Sequence, residues 1–423
     1  MTKNIEDIFA SMMACIDQEK LDKLAQVCVK VGLNLQEGQD LLITAPLVAT
    51  PLVRLIAKHA YKQGAGVVTP FFGDDALTLA RFENAKEESF SKAPNWLYDA
   101  MAKAYDQGAA RLAIVGDDVM LLAQQDPERI AQLNKTVAQA YKPALERISQ
   151  FKINWNIISY PHPSWARVVF KDLPITEAVS ALSEAIFAAS RLNSGDAVDA
   201  WAQHNKSLHA RADWLNEQRF SFLHFKGTGT DLKIGLADDH AWHGGASKAQ
   251  NGVFCNPNIP TEEVFTTPHA YRVDGFVRST KPLAHQGTLI EDIEVRFQDG
   301  KIVEAKAAKG EEVFKKVLAS DEGASRLGEV ALVPHSSPIS QSGLLFYNTL
   351  FDENASCHIA LGQCYSKCFE NGDKLTEEEI SRRGGNKSLV HVDWMIGDAE
   401  TDIDGIRANG EVVPVFRKGE WAQ

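Results

Sequence analysis

The segment 21–45, LDKLAQVCVKVGLNLQEGQDLLITA, holds one full cycle of the pattern from which the first half of the chain is built. Over residues 21–31 the apolar side chains return at intervals of three and four, as on one face of a helix. The run 40–45 (DLLITA) is short, continuous and apolar, as a strand covered on both sides must be. Outward from this segment the alternation continues. Residues 51–62 read as helix, 66–72 (GVVTPFF) as strand, 96–105 as helix, 111–115 (RLAIV) as strand, 127–148 as helix, 153–160 as strand and 176–191 as helix. This predicts an α/β domain over residues 1–195, with a mostly parallel sheet covered by helices.

Beyond residue 195 the pattern changes. A polar helical stretch at 197–220 is followed by strands and turns. Residues 220–225 and 231–236 flank GTGT, and 289–297 and 301–307 flank QDG, each a hairpin signal. Residues 388–396 and 412–416 continue the strands. The expectation for 196–423 is an α+β domain, mainly antiparallel and rich in β structure. No repeat of 20 to 50 residues and no low-complexity tract interrupts it.

Composition narrows the function. At about 150 residues per domain, 423 residues suggest two or three domains. The formal charge of −12 (44 Lys+Arg against 56 Asp+Glu) disfavours a phosphate backbone as partner, so no nucleic acid is expected. No apolar run approaches a membrane span, and residues 1–20 (MTKNIEDIFASMMACIDQEK) lack the basic and apolar regions of a secretory leader, so the expectation is a cytoplasmic protein without membrane contact. The six cysteines (15, 28, 255, 357, 364, 368) contain no C-x-x-C pair and read as reduced thiols. There is no G-x-G-x-x-G and no G-x-S-x-G. The fragment GGNKS at 384–388 lacks the spacing of a P-loop, so nucleotide and serine-hydrolase readings have no motif.

The informative anomaly is charge inside apolar strands. In SLVHVDWMIG, residues 388–397, His391 and Asp393 are two apart and leave the same face of the pleat among Leu389, Val392 and Trp394. Glu329 opens EVALV, Glu263 lies in PTEEVFTTP, and His358 heads an apolar run in DENASCHIALGQCY with Tyr365 seven residues on. Each has an ordinary structural reading, a satisfied strand-end carboxylate or a backbone-bonded histidine. Together they supply three carboxylates and two imidazoles, the ligand chemistry of a divalent-metal site.

PTEEVFTTP, LGEVALVP, DENASCHIALG and HVDWMIGD, with QEGQDLL, APLVATPLVR and AYKQGAG earlier in the chain, closely resemble the signatures of the aminopeptidase T / aminopeptidase S family of dinuclear metallo-aminopeptidases. The resemblance spans nearly the whole chain. It implies metal ligands at Glu263, Glu329, His358, His391 and Asp393, with Glu263 chosen over Glu262 by its interval to Glu329, and a site tyrosine at Tyr365. It further implies a cytoplasmic homodimer whose active sites face an enclosed cavity admitting short peptides with a free N-terminus. Cys364 and Trp394 depart from the familiar pattern in ways that touch pocket lining.

Carboxylates and imidazoles of this kind suit two Zn²⁺, Co²⁺ or Mn²⁺ ions, with a bridging water as nucleophile and the substrate's α-amine on a remaining coordination site. Tyr365 is expected to donate to a developing oxyanion or bind metal; packing is its alternative. Glu353 is a candidate proton shuttle, as is Glu262, with a salt bridge as the alternative. The H-x-x-H pair His240 and His243 lacks the acidic partner of H-E-x-x-H and reads as pocket wall or surface. Two other functions stay open: a non-catalytic metal- or peptide-binding protein on the same scaffold, and a metal-assisted hydrolase of another amide or a phosphoester.

Overall fold

The computed structural model describes residues 14–116, 118, 120–193, 195–285 and 288–423; the stretch 1–13, on which most of the leader expectation rests, lies outside them. The chain divides into two compact units, residues 1–203 with 246–260, and residues 204–245 with 261–423.

The first unit is α/β. Its sheet has four parallel strands in the order Val68–Gly73, Leu41–Pro46, Ala110–Val115, Trp155–Ser159. Leu41 to Ile43 are buried between neighbours on both sides, which is why this strand is written without polar alternation. The helices Gln18–Val27 and Thr50–Lys62 each present an apolar stripe. In Gln18–Val27 the stripe is Leu21, Leu24 and Ala25, and Asp17 caps the first turn by accepting from the Glu19 and Lys20 N–H groups. Thr50–Lys62 begins with Pro51 in its first turn and buries Leu52, Val53, Ile56 and Ala60. Helices Asp75–Asn84 and Pro163–Val169 fall in stretches whose short apolar patterns do not stand out.

The second unit is built on two antiparallel sheets. Eight strands run in the order Lys301–Lys306, Glu294–Gln298, Pro268–Arg278, Thr230–Leu236, Phe222–Gly227, Asp402–Ile406, Val412–Arg417, Glu420–Trp421. Both expected hairpins are in it: Phe222 pairs with Gly235 across the first turn, and Phe297 with Ile302 across Asp299 and Gly300. Five strands form the other sheet, His391–Met395, His358–Gly362, Leu327–Leu332, Val264–Thr266 and His243–Gly244. One face of this five-stranded sheet enters the core through Val264, Leu327, Val330, Leu332, Ile359, Leu361, Val392 and Trp394. The opposite face carries the charged side chains.

Candidate metal centre

Strand register explains how residues 130 positions apart meet. Phe265 pairs with Ala331, Ala331 with His358 and His358 with Met395; in the next row Glu329 pairs with Ala360, and Ala360 with Asp393. Residues i and i+2 share a face, so Glu263 joins Phe265, and His391 joins Asp393. The two alanines lie between the charged side chains, and their small size leaves the space above the sheet to the carboxylates and imidazoles.

Glu329 reaches that face through an irregularity. Leu327 pairs with Leu361 and Glu329 with Ala360, so Gly328 is an extra residue without an opposite number. Such a bulge lets Leu327 turn into the core while Glu329, two residues on, turns out of it. A Cβ at position 328 would meet the Gln363 carbonyl oxygen at 2.4 Å, so the bulge closes only on glycine.

Glu263 Oε2 lies 3.1 Å from His358 Nε2, Glu329 Oε1 lies 3.7 Å from the same nitrogen, and Glu329 Oε2 lies 3.7 Å from His391 Nε2, which is 3.5 Å from Asp393 Oδ1. Two ligand-like groups follow, Glu263 with Glu329 and His358, and Glu329 with His391 and Asp393, each with its donor atoms within 4.8 Å of one another. Glu329 belongs to both.

The imidazoles are oriented from behind. His358 Nδ1–H donates to the Ser356 carbonyl at 3.2 Å and His391 Nδ1–H to the Gln363 carbonyl at 2.7 Å. A carbonyl only accepts, so each Nδ1 carries a proton and each Nε2 is turned toward carboxylate oxygens, the orientation of metal-ligating histidines. His358 Nε2 is buried and makes no directed hydrogen bond. Once Nε2 gives up its proton, it and the carboxylate oxygens around it are all acceptors that a cation between them satisfies, and these residues therefore fit divalent metal.

The electrostatics show a cluster rich in acid. Burial, then the adjacent Glu263 and Asp393, push the Glu329 carboxyl up. Burial acts to lower both imidazoles and is overcome: Glu263 and Glu329 hold His358 well above its usual value, and Asp393 and Glu329 hold His391 up at about 10. Burial also pushes Asp393 upward, but the His391 charge and bond bring it net down. Glu353, on the short turn Glu353–Ala355, is raised well above the carboxylate range by loss of solvent, then by Asp393 and Glu263. The Tyr365 phenol is raised by the same loss of solvent and by all four carboxylates, so it stays protonated as a donor. Its ring packs 4.8 Å from that of His391.

Glu262 turns elsewhere, with its carboxylate 3.8 Å from His204 Nε2. Its N–H donates to Asn354 Oδ1 at 2.7 Å, tying the Glu262–Glu263 segment to the turn that carries Glu353. His240 is buried, with Nδ1–H donating to the Ala237 carbonyl at 2.9 Å, while His243 lies at the edge of the site's sheet against Phe265. Burial, then the Lys367 ammonium, lower His243 to about 4. Cys357 and Cys364 are pushed up to about 12 by burial, and among the described residues no cysteine joins a ligand-like group. Phe265, Lys367, Asn354 and the two alanines carry no sequence signal, because neither charge nor spacing distinguishes them. Asn386, within GGNKS, is a buried lock whose Nδ2 donates to the Gly323 and Gly362 carbonyls, 2.8 and 2.6 Å away.

A thiolate-free set of buried carboxylates and backbone-oriented imidazoles, on an α/β chain with an antiparallel second unit, defines a metal-dependent hydrolase class. Residues 17–421 match the family described as thermophilic metalloprotease (M29), and the chain belongs to that family. Aminopeptidase T of Thermus thermophilus is 51% identical over 404 residues, covering 96% of this chain and 98% of the relative. Aminopeptidase 2 of Geobacillus stearothermophilus is 49% identical over 405 residues, 96% and 98% of the two chains. The solved structure of wild-type AmpT from Thermus thermophilus superposes with a TM-score of 0.91 at 51% identity over 96% of this chain and all of that one. A 2,5-dihydroxypyridine dioxygenase from Pseudomonas putida, at TM-score 0.53 and 12% identity over 96% and 98% of the chains, shares the fold alone.

Proposed function

We propose that the second unit is the catalytic domain of a metal-dependent aminopeptidase and that it holds two divalent ions, one by Glu263, Glu329 and His358, the other by Glu329, His391 and Asp393. The enzyme class follows from the family; the observation that carries the two-ion reading is the overlap of two ligand-like groups at Glu329. Bound there, Zn²⁺, Co²⁺ or Mn²⁺ supplies Lewis acidity to the scissile carbonyl and an acidified water as nucleophile.

The protein's own groups do the rest. Ser356 and Gln363 carbonyls hold the imidazoles with Nε2 forward. Glu353, on the turn beside the cluster, is the group that would carry a proton to the leaving amine, and the Tyr365 phenol would stabilise negative charge on the carbonyl oxygen. A coordination position left by these ligands would take the substrate's neutral α-amine, which limits cleavage to the first peptide bond. The same reading takes the protein as a cytoplasmic homodimer acting on short, unblocked peptides, and among the described residues no helix is long and apolar enough to cross a membrane.

Purified protein should release N-terminal residues from unblocked peptides, lose that activity to a chelator and regain it with Zn²⁺, Co²⁺ or Mn²⁺. Cleavage of N-acetylated peptides at equal rate would refute the exopeptidase reading. Anomalous scattering that finds one ion, or none in contact with Glu329, would refute the two-ion site.

A further inference from the structure

Beside the cage stands one cation the proposed chemistry does not use. The Lys367 Nζ lies 4.7 Å from the centre of the Phe265 ring and 5.9 Å from that of Tyr365. Phe265 shares its sheet face with Glu263, and Tyr365 packs on His391, so the two rings place the ammonium at the border of the site. The segment is pinned too, since His243 Nε2–H donates to the Lys367 carbonyl at 2.6 Å. Aromatic faces hold an ammonium in position while removing part of its hydration, which strengthens its pull on an anion.

Resting on the aminopeptidase reading, we propose that Lys367 recognises the C-terminal carboxylate of peptides two or three residues long. A peptide spans at most ~3.6 Å per residue, so in such a substrate the negative terminus lies within one or two residues of the bond to be cut. The Lys367 ammonium on the border of the site attracts that terminus and repels a protonated α-amine, so a short peptide enters amine toward the ligand cluster and carboxylate toward Lys367. Lysine suits this role: a compact charge on a flexible stem can follow the terminus of a dipeptide or of a tripeptide.

The test compares free acids with amides in the metal-loaded full chain, using leucyl-alanine, leucyl-alanyl-alanine and a leucyl hexapeptide. For the two short peptides kcat/KM should favour the free acid by about tenfold, the scale of a charge-assisted contact, and the hexapeptide should show no preference. Lys367→Gln should bring the short-peptide ratio close to one, and Lys367→Arg should keep most of it. A merely structural effect would lower acid and amide together and leave the ratio unchanged, which would overturn the proposal, as would a wild-type ratio of one. Calorimetric Kd values for the reduced-bond (CH₂–NH) leucyl-alanine analogue, acid against amide, read the same discrimination without turnover. Lack of hydrolysis of every peptide would then fall on the aminopeptidase reading, while the Kd ratio still decides the role of Lys367.

Discussion

The two sheets of the second unit carry charge in opposite ways. On the eight-stranded sheet, Arg296 meets Glu304 at 2.6 Å, Arg278 meets Asp292 at 2.7 Å and Lys226 meets Asp404 at 3.3 Å, at the surface and with a full cation for each acid. On the five-stranded sheet, Glu329 and Glu263 are 4% and 8% exposed, and the ion pairs described for them and for Asp393 are with imidazoles alone. Exposed pairs contribute little; buried carboxylates without a full cation cost several kcal/mol until one arrives. Charge alone therefore says nothing about function. Charge that the protein has buried and left short of positive partners does.

Glu329→Gln should break this contrast most severely. If Glu329 serves both ions, kcat/KM should fall by about a thousandfold or more and bound metal should drop to one equivalent or less by elemental analysis. Metal-free variant should melt no lower than metal-free wild type in calorimetry, because a buried negative charge has been removed. Retention of both ions with near-normal turnover would take Glu329 out of the centre.

Metal removal is next in size. Ions that bind only the folded chain stabilise it by about 4 kcal/mol at a thousandfold excess over Kd, so a chelator should lower Tm by several degrees. His358 and His391 are held protonated in the metal-free site, His391 up to about 10, and a ligating imidazole must be neutral. Metal binding thus releases protons, and affinity should rise with pH between 6 and 8 by about tenfold per unit for each proton released. Calorimetry in buffers of different ionisation enthalpy counts those protons; a pH-independent affinity would contradict the protonation of the metal-free imidazoles.

Ala360→Val should act in between. Ala360 is fully buried between Glu329 and Asp393, and two added methyl groups enter the space the cage occupies. About 1–3 kcal/mol of overpacking and roughly a tenfold weaker metal affinity are expected, read by calorimetry and competitive chelation. The same change with unaltered affinity would show that the space above the alanines is not used.

Much of this is legible in the sequence because it is periodic. The βα alternation of the first unit and the GTGT and QDG hairpins follow from apolar spacing and turn residues, and His391 with Asp393 announces itself through a two-residue interval in an apolar strand. What escapes has no period. The bulge at Gly328 separates the faces of Leu327 and Glu329, which simple alternation would put together. Ala331 and Ala360 matter through the volume they leave empty, and Lys367 through the Phe265 ring brought to it by a distant strand. Pairing across a sheet is a long-range property; a single strand's composition does not contain it.

Arg296→Ala completes the comparison from the quiet side. The guanidinium donates twice to Glu304, at 2.9 and 2.6 Å, across adjacent strands, and both side chains are about half exposed. Geometry alone would rank this contact above the 3.5 to 3.7 Å approaches at the candidate metal centre. Water competes for both partners, and holding two long side chains together costs entropy, so loss of the pair should change stability by no more than about 0.5 kcal/mol. Denaturant unfolding of the metal-loaded protein measures it, with kcat/KM unchanged. A loss above ~2 kcal/mol would mean that this surface pair is coupled to the core, and the division between solvated and functional charge drawn from the two sheets would fail on the sheet where it is simplest.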